Sequence, residues 1–184
     1  TQVFLNPVDG KNTITGSSLS AAALGSGNSG QITINTGRLS IYDGGYISTE
    51  TFFNSSSRGG DITINASEAV EVVGVNPTGI SSQIDSSTLG SGNAGNVNIN
   101  TSRLSIRDGA FVGTNALPGS TGQGGDLTVN ASDSVEIIGA SLDDSFDSKL
   151  TTISRGSGNA GRISIDTRRL SLGNGAFISA STDG

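Results

Sequence analysis

Short runs of alternating apolar and polar residues recur along the whole chain. In one stretch they occupy residues 32–35, 39–41 and 46–49, where isoleucine or leucine alternates with small polar residues. Strict alternation with β-branched residues and Gly, Asn or Asp between the runs predicts strands that bury one face. No stretch places apolar residues at every third or fourth position, so the pattern predicts no amphipathic helix.

Two related motifs alternate along the sequence. The first begins at Gly25, Gly90 and Gly156, and the second begins at Gly59 and Gly124, so each motif returns after nearly the same interval. Both contain the core Gly-x-(Ile/Val/Leu)-polar-(Ile/Val)-Asn, with Asp166 in place of Asn in the fifth copy, so the basic unit is half of this long period. Self-similarity at such a period is typical of solenoids.

Three short strands in each unit predict one coil of a β-solenoid, in which inward residues stack from rung to rung. We therefore expect an all-β fold, a right-handed parallel β-helix of about six rungs. The whole chain is expected to be one solenoid segment of a longer array, because neither end shows a polar cap. The expected units lie near residues 1–24, 25–58, 59–89, 90–123, 124–155 and 156–184.

The inward columns can be predicted by aligning the units. Four columns come from the first two runs: Ile32, Ile62, Val97, Leu127 and Ile163; Ile34, Ile64, Ile99, Val129 and Ile165; Leu39, Val70, Leu104, Val135 and Leu170; Ile41, Val72, Ile106, Ile137 and Leu172. On the third face Ile47, Val112 and Ile178 repeat, and Ile80 and Ile84 are expected to serve the alternate rungs. The pairs Asp43-Gly44, Asp108-Gly109 and Asn174-Gly175 are expected to supply positive-φ corners.

One corner position holds an amide in four units and a carboxylate in the fifth. The residues are Asn35, Asn65, Asn100, Asn130 and Asp166. We interpret them as a structural ladder in which each amide bonds the turn backbone of its neighbours. Asn65, Asn100 and Asn130 also fit the glycosylation sequon, but the Ser that completes it belongs to the expected turn, which favours the structural interpretation.

Composition narrows the possible chemistry. Ser, Thr, Asn and Gly make up 91 of the 184 residues, the hydrophobic fraction is 33%, and His, Cys, Met and Trp do not occur. This excludes a thiolate or imidazole nucleophile, a histidine base, a Cys/His zinc site and disulfides. No carboxylate pair shared between rungs is recognisable either, so we expect no enzyme activity and no cofactor.

The net charge and the hydropathy of the chain disfavour two classes of partner, nucleic acids and membranes. The net charge of −6 disfavours nucleic acid and anionic membrane surfaces. The longest apolar stretch, residues 21–24, is far shorter than the ~20 residues of a membrane helix, so no membrane insertion is expected.

Acidic residues suggest two further candidate sites. Asp143, Asp144 and Asp147, with Lys149, lie in the longest insertion and could serve as catalytic carboxylates or bind Ca²⁺. A solvated acidic loop is favoured, because a site drawn from one loop lacks partners on neighbouring rungs. Gly-Gly-Asp at 59–61 and 124–126 is similar to a calcium-binding repeat, but it recurs only in every second unit, which favours a tight turn.

Opposite charges also recur near one corner. Arg38, Arg103 and Arg169 belong to the first motif, and Glu68 and Asp133 to the second. Because the motifs alternate, we expect a surface ladder of Arg beside Glu or Asp, with a patch for acidic glycans as the alternative.

The combination Gly-Asn-Ala-Gly-x-(Ile/Val)-x-Ile-(Asn/Asp)-Thr-x-Arg-Leu-Ser with Asp-Gly-Ala-Phe-(Val/Ile) resembles repeats in large filamentous-haemagglutinin-type exoproteins, particularly those of cyanobacteria. The resemblance covers essentially the whole chain. It implies a right-handed parallel β-helix, two-partner secretion and a role at the cell surface. We therefore expect a secreted structural filament or adhesin stalk. Its expected partners are neighbouring repeats of the same chain or further copies of the chain, end to end, and surface glycans. A carbohydrate-active enzyme and a glycan-binding module are the alternatives.

Overall fold

A computed structural model describes residues 2–5 and 17–183, and every regular element in these ranges is a β-strand. Five strands are long: β3 (Ile32–Tyr42), β5 (Ile62–Val73), β7 (Val97–Arg107), β9 (Leu127–Ile138) and β11 (Ile163–Gly173). The others are short: β1 (Gln2–Leu5), β2 (Ser18–Ala23), β4 (Tyr46–Thr51), β6 (Gln83–Thr88), β8 (Phe111–Ala116), β10 (Lys149–Ser154) and β12 (Phe177–Thr182). The described ranges contain no helix of the length and apolarity that crossing a membrane requires.

The strands form two parallel sheets. The first sheet has the order β1-β3-β5-β7-β9-β11, and the second has the order β2-β4-β6-β8-β10-β12. The chain therefore visits each sheet once per turn and winds through about five turns, ~24 Å along the axis at the usual strand spacing. The prediction of an all-β parallel β-helix is confirmed. Its right-handedness stays a prediction, resting on the rule for parallel crossovers.

Each turn holds two strands, not the three that the sequence pattern predicts. The runs at residues 32–35 and 39–41 join into β3, which bends where its register with β5 shifts between Thr36 and Arg38. The same shift recurs at the three following pairings, β5 with β7, β7 with β9 and β9 with β11. A bulge at the bend turns the strand around the corner while most of its backbone stays paired, so the predicted break does not occur.

The four predicted columns of the first sheet are confirmed by the strand registers. On β5, β7 and β9, the strands of the inner turns, the side chains of these columns are 0–1% exposed. The second sheet adds one apolar column, consisting of Ile47, Ile84, Val112, Leu150 and Ile178.

Ile80 does not belong to that column, contrary to expectation, and Leu150 completes it instead. Ile80 lies in the loop between β5 and β6, where its N–H donates to Asn76 Oδ1 over 2.9 Å. The loop interrupts the alternation, so spacing alone does not show which isoleucine points inward.

Glycine is required at two kinds of corner. Asp43 and Gly44 have φ values of 50° and 80°, and the equivalent pairs at 108–109 and 174–175 match them, as predicted. At a second corner Gly30, Gly60, Gly95, Gly125 and Gly161 stack directly, and a Cβ on any of the last four would overlap the carbonyl oxygen one turn before. Successive turns can approach this closely only where the residue of the later turn lacks a side chain.

The buried columns lead to a first prediction. Ile99→Asp places a carboxylate where the side chain is 0% exposed, and we expect it to lower the free energy of unfolding by at least ~3 kcal/mol. Urea denaturation followed by circular dichroism measures this loss. The matched control is Asn98→Asp on the same strand, which faces outward and should stay within ~0.5 kcal/mol of the parent. An unchanged urea midpoint for Ile99→Asp would contradict the column assignment.

Candidate functional site

The asparagine ladder runs along the outside of the first sheet. The Nδ2 of Asn65 donates to Asn35 Oδ1 over 2.8 Å, Asn100 donates to Asn65 over 2.8 Å, and Asn130 donates to Asn100 over 2.9 Å. The bonds join side-chain amides to one another and not to the turn backbone, which corrects the predicted partner. Because all bonds point the same way, the ladder has a direction along the axis.

Asp166 occupies the next position, opposite Asn130 in the register. An ionised carboxylate has no N–H to donate, so it cannot extend the series of amide donors. The three sequon asparagines 65, 100 and 130 are the donors of this ladder, which agrees with their structural interpretation.

A second axial ladder explains the Gly-Gly-Asp segments. Asp61 Oδ1 accepts the N–H of Asn96 over 2.8 Å, Asn96 Oδ1 accepts the N–H of Asp126 over 2.9 Å, and Asp126 Oδ1 accepts the N–H of Arg162 over 2.8 Å. Each side chain therefore bonds the equivalent backbone position one turn on. These carboxylates stabilise the stacking of turns, which gives the segments a structural role.

The acidic insertion does not gather its carboxylates. Asp143 Oδ1 accepts from Ser141 Oγ over 2.6 Å and from Ser145 N over 3.2 Å, and the bond from Ser141 lowers the pKa of Asp143 most strongly. Asp144 takes a positive φ of 55° in the turn, and Asp147 pairs with Ala140 in an antiparallel bridge. Within residues 2–5 and 17–183 no group of three or more acidic side chains is close enough to hold a metal ion.

Lys149 belongs to a different surface. It begins β10, and its Nζ lies 5.7 Å from the centre of the Phe111 ring and 5.9 Å from that of Phe177. These rings stand one turn before and one turn after Lys149 in the register. The ammonium group thus lies between two aromatic rings, at cation–π distance from both.

The predicted ladder of Arg beside Glu68 or Asp133 forms only in part. Arg38 lies 3.6 Å from Glu68 and 3.2 Å from Glu71, while Arg103 and Arg169 form no ion pair in the described part of the chain. The registers place Arg103 between Ala69 and Ser134. β5 and β9 have one more residue than their neighbours at the bend, so Glu68 and Asp133 fall outside the register. Of the three arginines, Arg38 still reaches Glu68, whereas the other two reach neither acid in the described part of the chain.

Sequence reasoning missed a polar interior at the second sheet. Thr49, Ser86, Thr114 and Thr152 form one register column and are all 0% exposed. Their hydroxyls bond the stacked glycines: Thr49 donates to Gly60 O over 2.6 Å, and Ser86 accepts from Gly95 N over 2.9 Å. The alternation from Ile47 to Thr49 already indicated that this column points inward.

Asp85 has the most strongly shifted pKa among the described residues. It lies on the outer face of β6, yet it is only 7% exposed, and it accepts a 2.5 Å hydrogen bond from Asn115 Nδ2 on β8. Burial, reinforced by the negative charge of Glu50, raises the pKa of Asp85 to about 7. Hydrogen bonds from Asn115 and Ser87 oppose this shift.

Glu50 and Asp85 make up a carboxylate pair shared between neighbouring turns, which corrects the expectation that none exists. The register pairs Ser48 with Asp85 and Glu50 with Ser87, so the two acids are diagonal neighbours on the outer face. A buried carboxyl with a raised pKa beside a second carboxylate is a candidate functional group. Nothing in the local sequence distinguishes Asp85 from an exposed aspartate.

The fold defines this chain as a parallel β-solenoid. No family model, no curated protein and no solved structure matches it.

Asp85 leads to a pH prediction. Its pKa is about 7 in the folded chain against an ordinary value of 3.8. Between these pH values only the folded state holds the proton. The free energy of unfolding should therefore fall as pH rises through this window, by up to ~1.4 kcal/mol per pH unit. Above pH ~7 the stabilisation that this bound proton provides is lost, because Asp85 is then ionised in both the folded and the unfolded state.

Urea denaturation at about pH 4.5, 6 and 7.5, values that span this window, measures how the free energy of unfolding depends on pH. Asp85→Asn keeps the shape and can still accept from Asn115, so it should flatten the slope and stabilise the chain at the highest pH. Asp144→Asn removes the same charge from an exposed loop and should keep the parent slope. A parent-like slope in Asp85→Asn would show that another group titrates.

Proposed function

We propose that this chain is part of an extracellular filament or adhesin stalk at a bacterial cell surface, built by continuation of the same rung pattern. The observation that supports this most is axial self-complementarity. Inward columns, the asparagine ladder and the stacked glycines each join a residue to its own equivalent one turn away. Such a stack can be lengthened by any number of turns without a new kind of contact.

The partner in this proposal is more of the same solenoid, from neighbouring repeats or from another copy. Leu170 and Leu172 on β11 are 45% and 46% exposed, whereas Val135 and Ile137 in the same columns on β9 are fully buried. A further turn stacked on β11 would cover these two side chains in the same way that β11 covers those of β9. The net charge of −6 keeps the flanks soluble, and nucleic acid is not proposed as a partner.

Secretion and surface location rest on the resemblance to filamentous-haemagglutinin-type exoproteins of cyanobacteria. That resemblance supports two-partner secretion as the route and surface glycans as further ligands. The abundance of Ser, Thr, Asn and Gly suits a long, hydrated surface fibre whose core needs few large side chains.

The filament proposal is tested on native material. Immunogold labelling with an antibody against residues 139–148 should decorate extracellular fibres, and X-ray diffraction from aligned fibres should show a meridional spacing of ~4.8 Å, the distance between turns. Cytoplasmic labelling, or discrete particles without this spacing, would refute the proposal.

In the isolated chain, Leu170→Asp with Leu172→Asp should abolish end-to-end association in sedimentation experiments. Ser171→Asp, outward on the same strand, should preserve it.

A carbohydrate-active enzyme is the second candidate, and the Glu50–Asp85 pair favours it. Glycoside hydrolysis uses one carboxylic acid that stays protonated near neutral pH and a second carboxylate nearby. Our proposal assigns no catalytic role to the chain, because Asp85 is only 7% exposed and accepts from Asn115, which leaves little of its carboxyl group accessible to a substrate.

The two candidates differ in a simple assay. The filament proposal expects no release of reducing or unsaturated sugars from a panel of polysaccharides. Release that is abolished by Asp85→Asn and by Glu50→Gln, but not by Asp144→Asn, would establish the enzyme instead.

A further inference from the structure

Two loops depart from the minimal turn at the same corner of the solenoid. Residues 74–82 join β5 to β6 and residues 139–148 join β9 to β10, and each loop carries one antiparallel bridge. The connection between them, residues 108–110, is short. Together they enclose a cleft of about 480 Å³, named here the loop cleft. Its volume lies within the range of ordinary ligand sites.

Hydrogen bonds within each loop hold its shape. Asn76 Oδ1 accepts from the N–H groups of Thr78 and Ile80 over 3.0 and 2.9 Å. In the other loop Ser141 Oγ donates to Asp143 and accepts from Phe146 N over 3.0 Å. A ligand therefore meets two ordered loops and does not bear the cost of ordering them.

The loops also pack against the short connection between them. A Cβ on Gly109 would lie 2.7 Å from Val75 Cγ2 and 2.9 Å from the carbonyl oxygen of Phe146. The Phe146 ring extends toward Gly79 in the first loop. Insertions two turns apart thus form one continuous surface over the intervening turn.

The chemistry of the loop cleft is apolar and acidic. Its apolar side chains include Val75, Pro77, Leu142 and Phe146, and Leu142 is fully exposed at the rim. Asp43, Asp108 and Asp143 contribute carboxylates. No described lining residue is Lys or Arg, and within residues 2–5 and 17–183 none of these three carboxylates forms an ion pair.

The spacing of the carboxylates suits an extended ligand. Asp43 and Asp108 occupy equivalent corner positions two turns apart, which corresponds to ~9.6 Å along the axis. Two lysine or arginine side chains on one face of an extended peptide are ~6.8 Å apart at their Cα atoms and long enough to reach both. A cleft contacts both faces of an extended peptide, so apolar residues, which point away from the cations in an alternating sequence, can pack on its apolar walls.

We propose that the loop cleft binds an extended segment of a partner protein in which apolar residues alternate with lysine or arginine. Charge complementarity selects the cationic residues, and the walls formed by Val75, Leu142 and Phe146 select the apolar ones. The site lies on the flank of the solenoid and not on its axial faces. It therefore adds a protein-binding function to the filament and is independent of end-to-end growth.

The test uses two labelled hexapeptides and the whole chain. One peptide alternates lysine with leucine, the other alternates glutamate with leucine, and fluorescence anisotropy measures binding at low and high salt. We expect saturable binding of the lysine peptide alone. Asp43→Asn with Asp108→Asn should weaken it about fourfold or more at low salt, and the difference should shrink at high salt. Asparagine tolerates the positive φ of both positions, so this variant should fold normally.

The matched control removes two charges elsewhere, by Asp133→Asn with Asp183→Asn, and should bind like the parent. Leu142→Ser alters only an exposed side chain and should weaken binding while the salt dependence persists. Equal affinity of the Asp43/Asp108 variant and the control, equal binding of the glutamate peptide, or no saturable binding would each overturn the proposal. Because the Asp43/Asp108 variant keeps the axial columns, loss of peptide binding with normal filaments separates this site from the filament proposal.

Discussion

The whole structure depends on the in-register stacking of parallel strands, which places each residue ~4.8 Å from its equivalent in the next turn. Every position must therefore be compatible with a copy of itself. Branched aliphatic residues satisfy this rule in the core, where Ile64 lies between Ile34 and Ile99. Asparagine satisfies it on the surface, because an amide both donates and accepts. Glycine satisfies it at the tight corner, where even a methyl group would overlap the neighbouring carbonyl.

The same rule explains why half of the chain is small and polar. The second sheet buries a column of hydroxyls at Thr49, Ser86, Thr114 and Thr152, and bonds to the stacked glycines satisfy them. A buried hydroxyl without a partner would destabilise the fold. The glycine corner thus supplies both close approach of the turns and hydrogen-bond partners for the interior. A core of this kind needs few large side chains, in agreement with a hydrophobic fraction of 33%.

Functional potential arises where the stacking rule is broken. Asp85 and Glu50 have no acidic equivalents in the adjacent turns, and their column neighbours include Gly113 and Asn115. The loops at 74–82 and 139–148 are insertions into otherwise minimal corners, and they meet over Gly109. Regular positions stabilise the solenoid, whereas these irregular ones present chemistry that the repeat does not need. This division is typical of proteins in which loops on a rigid scaffold carry the specific contacts.

The sequence by itself determined the repeat, the parallel solenoid, the inward columns of the first sheet and the positions of the ladder, because each follows from periodicity and strand alternation. Only the tertiary structure decided the rest. Which arginine reaches the acids at the bends of β5 and β9 depends on the pairing, which leaves Glu68 within ion-pair distance of Arg38 but not of Arg103. The replacement of Ile80 by Leu150, the burial of Asp85 and the meeting of loops from two non-adjacent turns likewise depend on neighbours distant in sequence. Local patterns record which way a residue faces along its own strand, but not what the adjacent turn places against it.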